Sequence, residues 1–252
     1  GEYFTVTDTY KPQSITNSGD IPLVAYCRHS LKPHFDYDNI FRVTKNGLDF
    51  FQDLFDYPYP YPKYEQAFVP EYNIGAMENP GLVTFTEDFI FVSGATEDDL
   101  EGRANTICHE MAHMWFGDLV TMKWWDDLWL KESFADFMGA LGAIEANGFN
   151  DAWVTFANHR KSWAYLQDQL PTTHPIVADI PHLEAAAQNF DGITYAKGAS
   201  TLKQLVSYVG FDTFIEAARV YFKRFAWGNT SLQDFLDVLN EVSGRDMQTW
   251  SQ

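Results

Sequence analysis

The sequence predicts an α+β fold, a small mixed-sheet lobe followed by a mainly helical lobe. Three observations carry this expectation. Strand-like runs cluster before residue 95, helical periodicity dominates after residue 96, and a His-Glu-x-x-His segment stands where one pattern gives way to the other. With 252 residues, of which 46% are hydrophobic and 17% aromatic, the chain can bury a substantial core. No internal repeat, low-complexity linker or break in composition divides it. Residues 1–252 are therefore read as a single domain, with 1–95 a mostly strand lobe carrying one helix and 96–252 the helical lobe.

The elements follow in order. Runs at 3–7 and 21–26 have the β-branched and aromatic content of strands, separated by a polar, turn-rich stretch at 11–20. Residues 38–55 place Ile40, Phe41, Leu48, Phe51 and Leu54 at helical spacing. The alternating Tyr-Pro run at 57–62 cannot supply the backbone donors of a helix or a ladder, so it is an extended connector. Strands return at 65–69, 82–85 and 89–92. Asn79-Pro80-Gly81 reads as a turn. That leaves Glu78 at the end of an extended segment whose Gly75 and Ala76 present almost bare backbone, an edge to which an extended peptide could add. Thr96 with Asp99 three residues on reads as a helix start, and Gly117-Asp118 as its stop. Helices are expected at about 99–116, 128–147, 151–168, 192–209, 211–226 and 231–243.

Charge narrows the partners. The balance 17 − 35 = −18 excludes a basic surface for nucleic acid or anionic lipid. A negative field favours cationic ligands such as a protonated amino terminus, although solubility alone explains it equally well. Two cysteines, Cys27 and Cys108, do not make a disulfide framework. Cys108 adjoins His109 but points about 100° away round a helix, as a buried thiol rather than a ligand. No stretch has the form of a signal peptide or a membrane span. The expected setting is cytoplasmic, with no membrane and no nucleic-acid partner.

The chemistry sits in three places. His109 and His113, four apart, share a helix face and can reach one tetrahedral ion. Glu132, on a second helix after 18 intervening residues, completes two histidines and a carboxylate, a set that leaves the fourth position to water and is catalytic rather than structural. One Zn2+ per chain is the expected cofactor. Bound zinc polarises a carbonyl and acidifies water, the needs of amide hydrolysis, and Glu110 beside it is placed to move the proton. Asp136, one turn after Glu132, could hydrogen-bond a ligating histidine, but a solvated helix acid is the better reading of it. Glu78, at the end of its bare edge, could pair with an ammonium group.

Gly75-Ala-Met-Glu-Asn79, the run His109-Glu-Met-Ala-His-Met-Trp-Phe-Gly-Asp-Leu-Val120 and the run Leu128-Trp-Leu-Lys-Glu-Ser-Phe-Ala135 together resemble the zinc aminopeptidases of the aminopeptidase N type, within the gluzincins. The wording is closest to the actinobacterial branch, and the resemblance spans nearly the whole chain. It implies a thermolysin-like metallopeptidase domain with zinc on His109, His113 and Glu132 and with Glu110 as general base. It implies that Glu78 anchors the free α-amine of a peptide substrate, with Gly75, Ala76, Met77 and Asn79 around it and Met77 against the first side chain. The family's Tyr-x-Lys-Gly-Ala motif is matched at 195–199, which makes Tyr195 the donor to the tetrahedral oxyanion. Lys131, where the family more often has asparagine, reads as a surface change without consequence. The family also implies an N-terminal β domain and a C-terminal helical domain of the parent protein as partners. Without them this chain is the catalytic domain alone, its amine site incomplete and open to solvent. Two rivals share the zinc set, a thermolysin-like endopeptidase, which has no use for Glu78, and a zinc-binding peptide-binding domain inactive without its neighbours. Epoxide hydrolysis, known in one branch of the superfamily, has no distinct support.

Overall fold

Alternation of apolar and polar residues is clearest in the segment that becomes the second strand, where Ile21, Leu23, Ala25 and Cys27 are buried and their neighbours are not. The computed structural model describes residues 2–13 and 19–251, so part of the turn-rich stretch at 11–20 lies outside the described residues. Strand β1 (Tyr3–Tyr10) pairs antiparallel with β2 (Ile21–Arg28), and helix α1 (Tyr37–Phe55) crosses back to β3 (Tyr64–Val69). Short β4 (Ala76–Met77) and β5 (Leu82–Thr86) complete a five-stranded sheet in the order β1-β2-β3-β5-β4. The pairs β2–β3 and β3–β5 are parallel, and both edge pairs are antiparallel. Helix α1 lays Ile40, Val43, Leu48, Phe51 and Phe55 into the core, each buried as the periodicity requires.

The expected strand at 89–92 does not form. Glu87–Phe89 is instead a 3-10 turn, with Thr86 accepting a hydrogen bond from the Asp88 N–H. Arg103 then donates to the Phe89 carbonyl, so a side chain takes an acceptor that a ladder would have used.

The helical lobe opens with α2 (Glu97–His113), followed by β6 (Val120–Met122) and α3 (Leu128–Glu145). Next come α4 (Ala152–Thr155) and α5 (Lys161–Asp168), separated by a π-turn at Phe156–Arg160 where one helix was expected. Helix α6 (Leu183–Gln188) precedes a second π-turn, Ile193–Lys197, which runs into α7 (Gly198–Val209). Helix α8 (Phe211–Phe225), β7 (Gly228–Thr230), α9 (Leu232–Ser243) and α10 (Met247–Trp250) complete the lobe, with β7 pairing parallel to β6. Aromatic rings join the lobes: Phe55 from α1 meets Trp115, Phe134 and Phe222 at centroid distances of 5.5, 6.1 and 5.0 Å. Sheet and helices thus share one apolar core, and α2 lies between them.

Candidate active site

Helix α2 starts with a reciprocal cap, Thr96 accepting from the Asp99 N–H at 3.1 Å and Asp99 accepting from the Thr96 N–H at 2.8 Å. Its last turn carries His109, Glu110 and His113, all buried. Helix α3 crosses it so closely that a Cβ on Gly139 would stand 3.0 Å from the Asn105 carbonyl and 3.2 Å from the His109 Cβ. Glycine at 139 therefore permits the approach that delivers Glu132 to the two histidines.

The candidate ligand atoms converge. His109 Nε2 and His113 Nε2 are 3.2 Å apart, and Glu132 Oε2 lies 3.6 and 3.2 Å from them. Each ring's other nitrogen faces an acceptor: His113 Nδ1 is 3.0 Å from the Phe116 carbonyl, and His109 Nδ1 is 3.6 Å from Asp136 Oδ1, slightly long for a hydrogen bond. Placing both Nδ1–H groups on acceptors leaves both Nε2 lone pairs for an ion. Two imidazoles and one carboxylate suit zinc-type coordination. The electrostatics fit as well. Glu78, Glu110, Glu132 and Asp136 are all buried within this small region, and Glu110 Oε2 has no hydrogen-bond partner. A divalent cation would compensate acids that Lys131 and Arg160 only partly offset.

The titrations follow from the same crowding. Burial pushes Glu110 up to about 7, against the pull of His109 and His113 and with the help of Glu78 and Glu132. Burial also opposes the charge on Glu132, yet His113, Lys131 and its histidine hydrogen bonds hold that carboxyl well below the usual range. Burial, then the charges of Glu132, Glu78 and Glu110, keep the Tyr195 phenol far above its ordinary value, so it remains an O–H donor. The Tyr195 ring stacks on His109, with centroids 6.0 Å apart and planes 13° apart.

The remaining expected residues divide. Gly75, Ala76 and Met77 line a cleft of about 840 Å³ together with Glu78, Tyr195, His109, His113 and Glu132. Strand β4 is the outer strand of the sheet; it pairs with β5 on one side, where Thr86 N–H also donates to the Gly75 carbonyl at 2.9 Å. Glu78 follows it, and one ligand atom from each of Glu78, Glu110 and His113 fall within 4.8 Å of one another. Asn79 is not in the cleft: its backbone carbonyl closes the turn to the Leu82 N–H at 2.9 Å, and its side chain donates to Thr84.

Two sequence expectations are overturned. Asp136 is buried, not solvated, and its carboxylate receives Arg160 through both Nη2 (2.7 Å) and Nε (3.2 Å). Lys131 is no bystander: its side chain is 13% exposed, and its ammonium pairs with Glu78 and, at 3.3 Å, with Glu132. A lysine is buried this far only when paired, and here the partners are a candidate metal ligand and the expected amine anchor. Sequence reasoning missed Arg160, whose place on the π-turn no helical or strand period foretells.

A helix-borne histidine pair completed by a glutamate from the next helix, with a buried free carboxylate in an open cleft, is an arrangement suited to metal-assisted hydrolysis. The peptidase family M1 domain matches residues 40–251, and the chain belongs to that family. It is 55% identical to aminopeptidase N of Streptomyces lividans over 254 aligned residues, covering all of this chain and 29% of that protein. It is 41% identical to a probable aminopeptidase 2 of Sulfurisphaera tokodaii (81% of this chain, 26% of the relative) and 38% identical to a leucyl aminopeptidase of Saccharolobus solfataricus (82% and 26%). The chain thus spans between a quarter and a third of the length of these relatives. No helix among the described residues is long and apolar enough to cross a membrane.

Proposed function

We propose that this chain is the single catalytic domain of a zinc aminopeptidase that removes one residue at a time from the free amino end of peptides. The observation that carries the reading is Glu78: a buried carboxylate at the end of the sheet's edge strand, within 4.8 Å of Glu110 and His113. A carboxylate there meets the substrate ammonium one residue from the scissile bond and leaves no room for chain upstream. An endopeptidase has no need of it.

His109, His113 and Glu132 would hold one zinc ion per chain. Zinc, when bound, supplies Lewis acidity towards the carbonyl and the attacking water. The substrate backbone lies along Gly75 and Ala76, with Met77 against the first side chain. Glu110 takes the proton of the attacking water and hands it to the departing amine. Burial raises its affinity for protons in the metal-free site, and its Oε2, without a hydrogen-bond partner, is free to accept one. The Tyr195 O–H donates to the oxyanion, and burial keeps that proton on the phenol. Asn79 supports the turn behind Glu78 rather than touching substrate. A β domain before the chain and a helical domain after it belong to the same proposal, in line with the relatives' greater length. A cytoplasmic setting does too, supported by two free, buried thiols.

The test is a mass-spectrometric time course on an equimolar pair of one peptide, free and amino-acetylated, with zinc-loaded protein. Losing a charged contact in a partly desolvated site costs about 2–5 kcal/mol, so acetylation should slow cleavage by at least about 30-fold. Equal cleavage of both peptides sinks the reading.

A further inference from the structure

Arg160 lies outside every motif of the sequence, yet it touches two parts of the site. It sits on the π-turn Phe156–Arg160 and lines the cleft. Its fork grips buried Asp136 through Nη2 and Nε, at 2.7 and 3.2 Å, and Asp136 Oδ1 is the atom facing His109 Nδ1. The central carbon of the same guanidinium lies over two rings, 4.9 Å from the Trp163 centroid and 5.7 Å from that of Tyr195. Tyr195 in turn stacks on His109, which closes the circuit Arg160, Asp136, His109, Tyr195.

We propose that Arg160 is a positioning residue for both halves of this centre: through Asp136 it sets the His109 ring for the metal, and through its face it sets the Tyr195 ring over the cleft. The second half rests on the function proposed above; the first needs only a metal at His109. Three features of the residue support this. An unpaired Asp136 carboxylate, 4% exposed, would be a buried charge without compensation and would turn towards whatever cation or donor it could find. Only arginine combines a two-pronged grip on a carboxylate with a flat cationic face for an aromatic ring; lysine offers a single point charge. And a one-turn π segment turns its residues off the helical period, which is how a residue between α4 and α5 comes to face the cleft.

The experiment uses the intact protein that carries this chain, with Arg160→Gln, Arg160→Lys, Asp136→Asn, Tyr195→Phe and the doubles Arg160→Gln/Asp136→Asn and Arg160→Gln/Tyr195→Phe. Zinc affinity is read by competition with a chromophoric chelator, corrected for folded fraction by circular dichroism. Arg160→Gln should weaken zinc by about 10–100-fold, Arg160→Lys by less, and the double with Asp136→Asn by no more than the worse single. With a free-amine peptide, Arg160→Gln should lower kcat with KM nearly unmoved, and should add little to Tyr195→Phe. Unchanged zinc affinity in folded Arg160→Gln overturns the first half. A purely additive cycle with Tyr195→Phe, or a loss confined to KM, overturns the second. A wild-type protein that binds zinc yet cleaves no peptide removes the aminopeptidase reading and the Tyr195 half with it, while the zinc cycle still decides the Asp136 half.

Discussion

Replacing Asp118 by asparagine should stabilise the metal-free protein above neutral pH and do nothing below about pH 4. Asp118 stands just past the metal helix, its Oδ2 is buried without a hydrogen-bond partner, and burial is the main reason its pKa rises from 3.8 to about 7. Glu78 and Glu110 add to the rise, while His113 and Lys131 oppose it. The sign follows from linkage. Folded Asp118 binds a proton more tightly than unfolded Asp118, so stability falls as pH climbs from 3.8 towards 7 and is flat beyond. A shift of about three units at 1.36 kcal/mol each sets a ceiling near 4 kcal/mol, and relaxation around a partly exposed side chain brings the expected loss to about 2–4 kcal/mol. Asparagine keeps the shape and removes the charge, so it should return that amount at pH 8. For a domain of this size the gain corresponds to about 5–15 °C in Tm. The assay is thermal unfolding of chelator-treated wild type and Asp118→Asn at pH 4, 6 and 8. The two melting curves should coincide at pH 4 and separate progressively. Equal gains at pH 4 and pH 8 would mean that packing, not charge, drives the effect; a lower Tm for Asp118→Asn at pH 8 would refute the electrostatic account.

Other perturbations give separate expectations. Glu110→Gln should reduce peptide turnover by about 10²–10⁴-fold while zinc binding, read by the chelator competition, is retained. Zinc affinity should fall from pH 8 to pH 6 in a titration series, by up to about tenfold per unit for each proton displaced. His109 is the first such proton: burial draws its pKa down, but Asp136 and Glu132 outweigh that and carry it up to about 10 in the metal-free site. Removing zinc with a chelator should lower Tm, since saturation at about 1,000-fold over Kd contributes about 4 kcal/mol to the folded state, and re-added zinc should restore it. Gly198→Ala should cost about 1–3 kcal/mol in a denaturant titration and also slow turnover, because its Cβ would stand 1.9 Å from Ser133 Oγ and push the Tyr195 turn off α3; adding Ser133→Ala should recover part of both. Lys131→Met should raise KM for free-amine peptides at neutral pH, checked by initial rates from pH 6 to pH 9.

What was legible in the sequence was what is local. His109 and His113 share a face because four residues make about one helical turn, and no tertiary knowledge is needed to see it. The cap at Thr96 and the turn after Glu78 are equally local, and both formed as expected. Burial is not local, and there the reading failed. Asp136 reads as a solvated acid by composition alone, yet it lies one turn from Glu132 on the same face; once Glu132 points at the histidines, Asp136 points inward too. Lys131 offered no such signal, since its position is set by a long stem reaching Glu78, just past the edge strand and 53 residues earlier. The run at 89–92 had strand composition but no partner, because β4 already holds the sheet's outer edge beside β5. Arg160 depends on a π-turn, a departure from periodicity that periodicity cannot announce.

The Lys131–Glu78 pair also bears on how an anchor for ammonium groups can exist in so acidic a place. A carboxylate surrounded by Glu110, Glu132 and Asp118 and cut off from water would ordinarily take up a proton, and a neutral Glu78 could not hold a cation. Burial does oppose its charge, yet the pKa of Glu78 is lowered, with His113 and Lys131 as the attractive partners. Lys131 engages the Oε1 oxygen, which leaves the second oxygen for a substrate amine. Lysine at 131 therefore acts with His113 to hold Glu78 ionised among its acidic neighbours, and a methionine there would raise the affinity of Glu78 for a proton. The consequence for substrate choice is directional: the protein should discriminate by the charge of the amino terminus, and that discrimination should weaken when either member of the pair is lost.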